Sequence, residues 1–268
     1  MDATVNLLTS ESHFVRRGSS ITCRSSGIEA DAHQPALFLA ETVGELANGS
    51  NFLERLSPHE WNDVRLKGSS IAINAGKSVF LQGDQHQGIW VLEEGIVRTF
   101  YTAPSGRQIT LAYWTAGHFV GGPEIFGGGE HVWSADAVQN SRLLYLPAAG
   151  IRKLIETQPS FALCIIEGLI AKGKCYSALA QMLGTRSVVE RLTQLLIILA
   201  EHYGRREKDR LIIERKLTHD QIASIVGSTR QWVTMTLDKF QKKGIISVAR
   251  RMIVIERYDL LIAETDAG

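Results

Sequence analysis

The chain has 268 residues, of which 44% are hydrophobic and 21% charged, with 24 Gly, 6 Pro and a net charge of +1. This length favours two domains over one, and the composition excludes wholesale disorder and a fibrous repeat. Three cysteines, Cys23, Cys164 and Cys175, are too few and too irregularly spaced for a disulfide framework, a four-thiolate metal site or an iron–sulfur cluster, and a reducing cytoplasm is the expected compartment. No run approaches the roughly 20 apolar residues of a membrane span, and no basic segment followed by an apolar core opens the chain, so neither membrane insertion nor secretion is expected.

The near-zero net charge conceals a segregation. From Arg186 to Arg257, 15 Lys and Arg oppose 8 Asp and Glu, so this stretch carries +7 and the remainder −6. A basic C-terminal third suits a polyanionic partner.

Residues 1–45 mix Ser, Thr, Gly, Asp and Glu without a sustained period, apart from an apolar run around Leu37 to Leu46, and read as an N-terminal extension ending in a short helix. No role is assigned to them. In LERLSPHEWNDV, Leu53 to Val64, helical spacing with Ser57-Pro58 as a start signal predicts one short helix. From Ser70 to Leu146 short apolar or alternating runs are separated by turn residues, the pattern of an antiparallel jelly-roll-like barrel, and residues 46–150 form this barrel domain.

From Gly150 to Gly184 the turn residues vanish and the period lengthens. This predicts a short helix over Ile151–Thr157, a break at Pro159 and a long helix from Ser160, so residues 151–185 form a connector. Leu169, Gly173, Tyr176, Ser177, Ala180 and Leu183 recur at three and four. They suit either a two-stranded parallel seam through Leu169, Gly173, Tyr176, Ala180 and Leu183, or packing on the chain's own barrel. Ser187 and Glu190 make a capping box for a helix ending at Gly204, and the charged RREKDR reads as a loop.

The chemistry concentrates in LTHDQIASIVGSTRQWVTMTLDKFQKKG, which begins at Leu217. Thr218 caps a short helix, Gly227 allows a sharp turn, and Ser228 or Thr229 caps a second helix: the helix-turn-helix pattern, whose second helix enters the major groove. Arg230 and Gln231 in its first turn suit guanine and adenine edges. Trp232 and Met235 are ambiguous between packing and contact with a thymine methyl or sugar, and Thr234 shares the helix face of Arg230. Thr218, Ser228, Thr229, Lys239, Lys242, Lys243 and Arg250 are candidate phosphate contacts, which position without reading sequence. IISVARRMIVIE then alternates as a two-stranded wing with Arg250-Arg251 at its tip, completing a domain over residues 186–268.

Barrel segments AGKSVFLQGD, EEGIVRTFY and GRQITLAYWTAGHFVGG, a long helix and this winged motif together resemble the Crp/Fnr superfamily of bacterial transcription regulators, over about residues 50–260. The resemblance implies an α+β chain with no enzymatic activity: an antiparallel barrel as effector sensor, a dimerisation helix, and a winged helix-turn-helix that binds double-stranded DNA. It further implies a homodimer on a near-palindromic operator with recognition helices ~34 Å apart, and RNA polymerase as a partner if the protein activates. Members that bind cyclic AMP carry Gly-Glu for the ribose and Arg-Ser-Ala for the phosphate. Here the stretch is Gly121-Gly122-Pro123-Glu124, then Trp133-Ser134-Ala135, and Trp133 (or Val132, without an insertion) stands where that arginine would be.

A buried phosphodiester without its cation is unfavourable, so cyclic AMP is not the expected effector. Tyr113, Trp114 and Trp133, with Tyr176 and Ser177 from the long helix and Gly121, Gly122, Glu124 and Ser134 around them, suit an aromatic or apolar small molecule; the same aromatics could equally be core. Haem, on His86, His118 or His131 with a cysteine, is an alternative cofactor. So is a regulator that binds DNA constitutively. A metal-dependent barrel enzyme is the remaining alternative, for which Gly83-Asp84-Gln85-His86 supplies only one histidine. Cys164 and Cys175, on the long helix, read as buried inert thiols.

Overall fold

The computed structural model describes residues 51–213, 217–249 and 252–265, except the side chains at 202 and 249. The expected N-terminal extension with its short helix, Cys23, and the wing-tip residues Arg250 and Arg251 lie outside them. Among the described residues no single helix is long and apolar enough to cross a membrane.

The segment expected to form one helix forms two, α1 (Phe52–Arg55) and α2 (Pro58–Arg65), because Ser57 caps a new start. Its side chain accepts the Glu60 N–H while Glu60 reaches back to the Ser57 backbone, leaving Pro58 at the first position, where its missing N–H costs nothing. Eight strands come next: β1 (Ser69–Ile73), β2 (Ser78–Phe80), β3 (Gly88–Glu94), β4 (Ile96–Thr102), β5 (Gln108–Thr115), β6 (Phe119–Val120), β7 (Ser134–Ala137) and β8 (Ser141–Pro147). They make two four-stranded antiparallel sheets, ordered β1-β8-β3-β6 and β2-β7-β4-β5.

Strand alternation sorts the side chains into layers. Phe80, Leu92, Val97, Ala112, Trp114, Val120 and Leu143 fill the space between the sheets. Their neighbours Val91, Phe119 and Leu144 point the other way, into a second cluster with Phe52, Val64, Ile151, Phe161 and Ile165. That cluster is the helical layer: α1, α2, α3 (Ala148–Thr157) and the long α4 (Pro159–Thr185), with a bend of 119° between the last two. Pro159 at the first turn of α4 is the break expected from the sequence. The helix lies close to the barrel at Gly168, where a Cβ would meet the Phe119 ring at 2.5 Å.

The C-terminal domain starts with α5 (Val188–Tyr203), capped by Ser187 and Glu190 as expected. Gly204 ends the helix, but the charged segment after it is a hairpin rather than the expected loop. β9 (Gly204–Glu207) and β10 (Arg210–Ile213) pair across Lys208-Asp209, and β10 pairs in turn with the wing. The wing, expected as two strands, is therefore part of a four-stranded sheet, β11-β12-β10-β9, with β11 (Ile246–Ala249) and β12 (Met252–Ile255). Charged Arg205, Arg206 and Glu207 are exposed, so the apolar alternation that signals a strand is confined to Leu211–Ile213. Between hairpin and wing come α6 (His219–Val226) and α7 (Arg230–Lys242), and α8 (Tyr258–Ala263) closes the described chain.

Candidate nucleic-acid interface and effector cavity

The helix-turn-helix is built by caps and one turn. Thr218 accepts the Gln221 N–H and Gln221 returns the bond, starting α6; Gly227 ends it at φ 63°, a left-handed conformation that a side chain would oppose. A side chain there would also meet a Leu183 methyl at 2.8 Å. Of the two candidate caps for α7 it is Thr229 that accepts the Trp232 N–H, while Ser228 closes the turn through its N–H to Ala223 O. Ile222, Val226, Val233, Leu237 and Phe240 then bury one face of each helix in a common core.

The opposite face of α7 is open. Arg230, Gln231, Met235, Asp238, Lys239 and Lys242 are exposed along it, and Met235 keeps 63% of its area in solvent. Trp232 instead packs against the domain core, which resolves the ambiguity between these two. Thr234 is tied inward, donating to Arg230 O and meeting His219 Nδ1 at 2.7 Å, so it stiffens the α6–α7 crossing. Arg230 Nη1 lies 3.7 Å from Asp220 Oδ2. Lys243 is paired with Glu264, so its ammonium is shared rather than held ready for a phosphate.

The aromatic candidates separate. Tyr113 does not face the barrel interior: it lies on the outer side of β5, buried in the C-terminal core with Leu192, Leu195 and Ile222. Trp114, its neighbour, points inward, and its indole N–H donates to Thr99 Oγ1 at 3.1 Å. Trp133 and Tyr176 do come together, ring edge to face at 5.6 Å, and with Tyr101, Leu111, Leu179 and Leu183 they line an apolar cavity of about 350 Å³. Val132 and Ala180 also reach it. Ser134 is buried and takes up the Gln82 N–H; Ser177 and Glu124 are exposed. Gly121 and Gly122 form the turn after β6, away from this cavity, and Gly122 N–H donates to His86 Nε2 at 2.7 Å.

The residues expected to form a seam divide between faces of α4, with Gly173 and Ala180 exposed. Leu169 packs on the helical layer and Tyr176 on the barrel interior, so neither belongs to the exposed side of α4. The exposed apolar residues are Leu163, Ile166 and Ile170, and Gly173, Ser177, Ala180 and Gly184 continue the line. Those positions alternate by three and four along the helix, the spacing of a two-stranded seam. Leu183, on its flank, reaches both the cavity and the Gly227 turn.

His86 and His131, considered for haem, are both buried with ring centroids 4.4 Å apart, and His131 also stacks on Phe80 at 4.0 Å. His118 bonds locally to Thr115. Among the described residues no group of three or more His, Cys, Asp or Glu could hold a metal ion. Burial and the neighbouring His86 hold the His131 pKa down to about 4, against the usual 6.5. Above pH 6.5 both folded and unfolded chains keep this ring neutral; between 6.5 and 4 only the unfolded chain takes the proton, so stability falls with acidification across that window. The loss is on the order of 3 kcal/mol. Thermal melts from pH 7 to 4 are expected to fall steeply for the wild type and less for His131→Phe, which keeps the stack on Phe80; parallel curves would exclude His131 as the cause.

One residue that the sequence pattern did not single out is Lys172, buried on the barrel-facing side of α4. Its Nζ donates to Phe119 O at 2.6 Å and lies 3.6 Å from the Trp114 ring centroid. Burial pulls its pKa from 10.5 to about 7. The available signal was a lysine in register with Phe161, Ile165 and Gly168, where the helix otherwise presents apolar or small residues to the barrel. Burial pushes the Cys175 thiol up to about 12, and Cys164 and Cys175 are both buried, as expected of inert thiols.

The cyclic nucleotide-binding domain family matches residues 71–158, and the Crp-like helix-turn-helix domain family matches residues 190–264. The global nitrogen regulator of Synechococcus elongatus is 26% identical over 182 residues, 67% of this chain and 82% of that protein. The fumarate and nitrate reduction regulatory protein of Escherichia coli K12 is 22% identical over 251 residues, 94% of each chain. Among solved structures, the c-di-GMP responsive global regulator CLP of Xanthomonas campestris superposes with TM-score 0.68 at 17% identity, covering 74% of this chain and 99% of that one. A mutant of CooA from Carboxydothermus hydrogenoformans gives 0.64 at 20% identity, covering 81% and 96%. Sensor barrel, long helix, winged helix-turn-helix and these matches in the same order agree: the chain is a transcription regulator and belongs to the Crp/Fnr family.

Proposed function

We propose that the chain works in the cytoplasm as a homodimer joined along α4, reads a near-palindromic operator with two copies of α7, and is controlled by an aromatic or apolar small molecule in the cavity between barrel and α4. The observation that carries this reading is the position of the cavity. Its wall is apolar, with two aromatic rings, and its volume suits a ligand of one or two rings. The absence of an arginine at Trp133 or Val132 argues against a cyclic nucleotide there, since both side chains line the wall.

Two connections would carry occupancy to the DNA-binding domain. Leu111 bulges out of the β4–β5 ladder between Thr110 and Ala112 and lines the cavity; Thr110, next to it, meets Ser224 of α6 hydroxyl to hydroxyl at 3.0 Å, and Tyr113 lies in the C-terminal core. Leu183 provides the second, through its contact at Gly227. A ligand acts only through a difference in affinity between two arrangements, and both connections would differ between them.

Native mass spectrometry of the purified chain, beside a denatured control, tests the reading. A mass twice that of the chain, plus a small molecule lost on denaturation, is expected. A stable monomer would overturn the seam. A clean dimer that binds its operator at full affinity would remove the effector and leave a constitutive binder.

A further inference from the structure

Among the buried residues of α4, Lys172 alone has a basic side chain. A buried ammonium normally faces a carboxylate, because an uncompensated ion loses its hydration without return. Here, among the described residues, its Nζ meets the Phe119 carbonyl at 2.6 Å and the faces of Trp114 and Phe119 at 3.6 and 4.4 Å, with the Cys175 thiol and the His118 ring close enough to feel its charge. One neutral carbonyl and two ring faces hold the cation in place but supply no counter-charge.

Lys172 does not itself line the cavity, but the side chains around it meet residues that do. Tyr176, one turn along α4, lines the cavity with its hydroxyl close to Thr99. Thr99 Oγ1 in turn accepts the indole N–H of Trp114, the ring beneath the ammonium. On the other side Cys175 Sγ points at Leu111 O, 3.7 Å away, and Leu111 is also cavity wall. The lysine stem is a flexible four-carbon chain, so Nζ can leave the Phe119 carbonyl without any movement of the helix backbone.

We propose that Lys172 is the recognition residue for an acidic group on the effector, which makes the ligand class an aromatic carboxylate or phenolate. The ring rests against Trp133 and Tyr176 and the anionic oxygen replaces the Phe119 carbonyl on the ammonium. The pair would then supply the counter-charge that the unliganded protein lacks. This rests on the cavity being the effector site, as proposed above.

The test is calorimetric titration of the full chain with matched acid and amide pairs of one and two rings, such as phenylacetate with phenylacetamide and indole-3-acetate with indole-3-acetamide. In the wild type at least one acid is expected to bind tenfold or more tightly than its amide. Lys172→Met, an apolar replacement of similar length, is expected to keep the wild-type melting temperature and bind acid and amide alike; Lys172→Arg is expected to restore the preference for the acid. Equal binding of acid and amide by the wild type overturns the proposal, as does a preference that survives in Lys172→Met. If Lys172→Met melts far lower, the lysine is structural, and loss of the preference in Lys172→Arg as well would overturn the proposal. Amide binding reads the cavity separately: amides that bind without any acid preference leave the effector site standing and remove only Lys172, whereas a panel in which nothing binds removes both.

Discussion

Arg230→Ala is expected to erase the preference for operator over random DNA while leaving the fold and most non-specific affinity intact. Arg230 stands in the first turn of α7 with 70% of its side chain exposed, on the face that carries Gln231 and Met235. A guanidinium there can make two parallel bonds to guanine O6 and N7, a contact worth about 1–3 kcal/mol in discrimination, and a dimer would make it once in each half-site. The combined loss is therefore about 2–6 kcal/mol, or roughly 30-fold to more than 10⁴-fold in the specificity ratio. Asp220, 3.7 Å from Arg230 and itself exposed, orients the guanidinium at little energetic consequence. Lys242→Ala provides the contrast. As a phosphate contact it would weaken binding to all sequences alike and lower the salt slope by about 1 per site. Mobility-shift titrations on operator and scrambled duplexes at two salt concentrations separate the two; equal loss on both duplexes for the Arg230 variant would sink its assignment to base reading.

How much of the fold was legible in the sequence depended on whether a feature is set locally. Caps and turns are local: Ser57, Ser187, Thr218 and Gly227 do in the structure what their types and spacings announced. The barrel strands were legible for the same reason, since turn residues punctuate them. The β9–β10 hairpin was not, because its outward charged residues serve no core and the pairing that makes it part of a sheet comes from β12, far along the chain. The aromatic pocket was half legible. Tyr113 and Trp114 are consecutive and must face opposite sides of β5, so they could not both line one cavity; which one turned inward was fixed by the C-terminal domain packing on the outer face. Leu111, the bulged residue, joins the cavity wall because the bulge breaks the alternation, and nothing in QITLAYWT marks that break.

The seam residues pose a subtler problem of phase. Leu169, Tyr176 and Leu183 repeat at seven, as a seam should, and so do Leu163, Ile170 and Ser177, one step round the helix. On a helix with two apolar faces the sequence period is the same for both, and only the barrel decides which is covered. Phe119 closing over Gly168 sets that rotation, leaving Ile166 and Ile170 outward.

Ile170→Glu is accordingly expected to separate the dimer. Ile170 sits in the middle of the proposed seam with 52% of its surface exposed in the single chain, between Ile166 and Gly173. In a parallel pair the two copies of residue 170 face each other, so the substitution removes two isoleucines from the contact, at about 1.5–3 kcal/mol each, and sets two carboxylates opposite one another. The dimer dissociation constant should then rise by about 10³-fold or more. DNA binding falls with it, because a monomer engages one half-site and loses the effective concentration that the second recognition helix gains from the first. Sedimentation velocity at micromolar protein, with circular dichroism to check the fold, reads the outcome. Leu169→Glu distinguishes the two phases: it faces the helical layer, so its expected effect is a lower melting temperature rather than a monomer. A dimer that survives Ile170→Glu but separates in a well-folded Leu169→Glu would restore the seam on the other side of the helix, and with it an effector cavity covered by the partner chain rather than flanked by it.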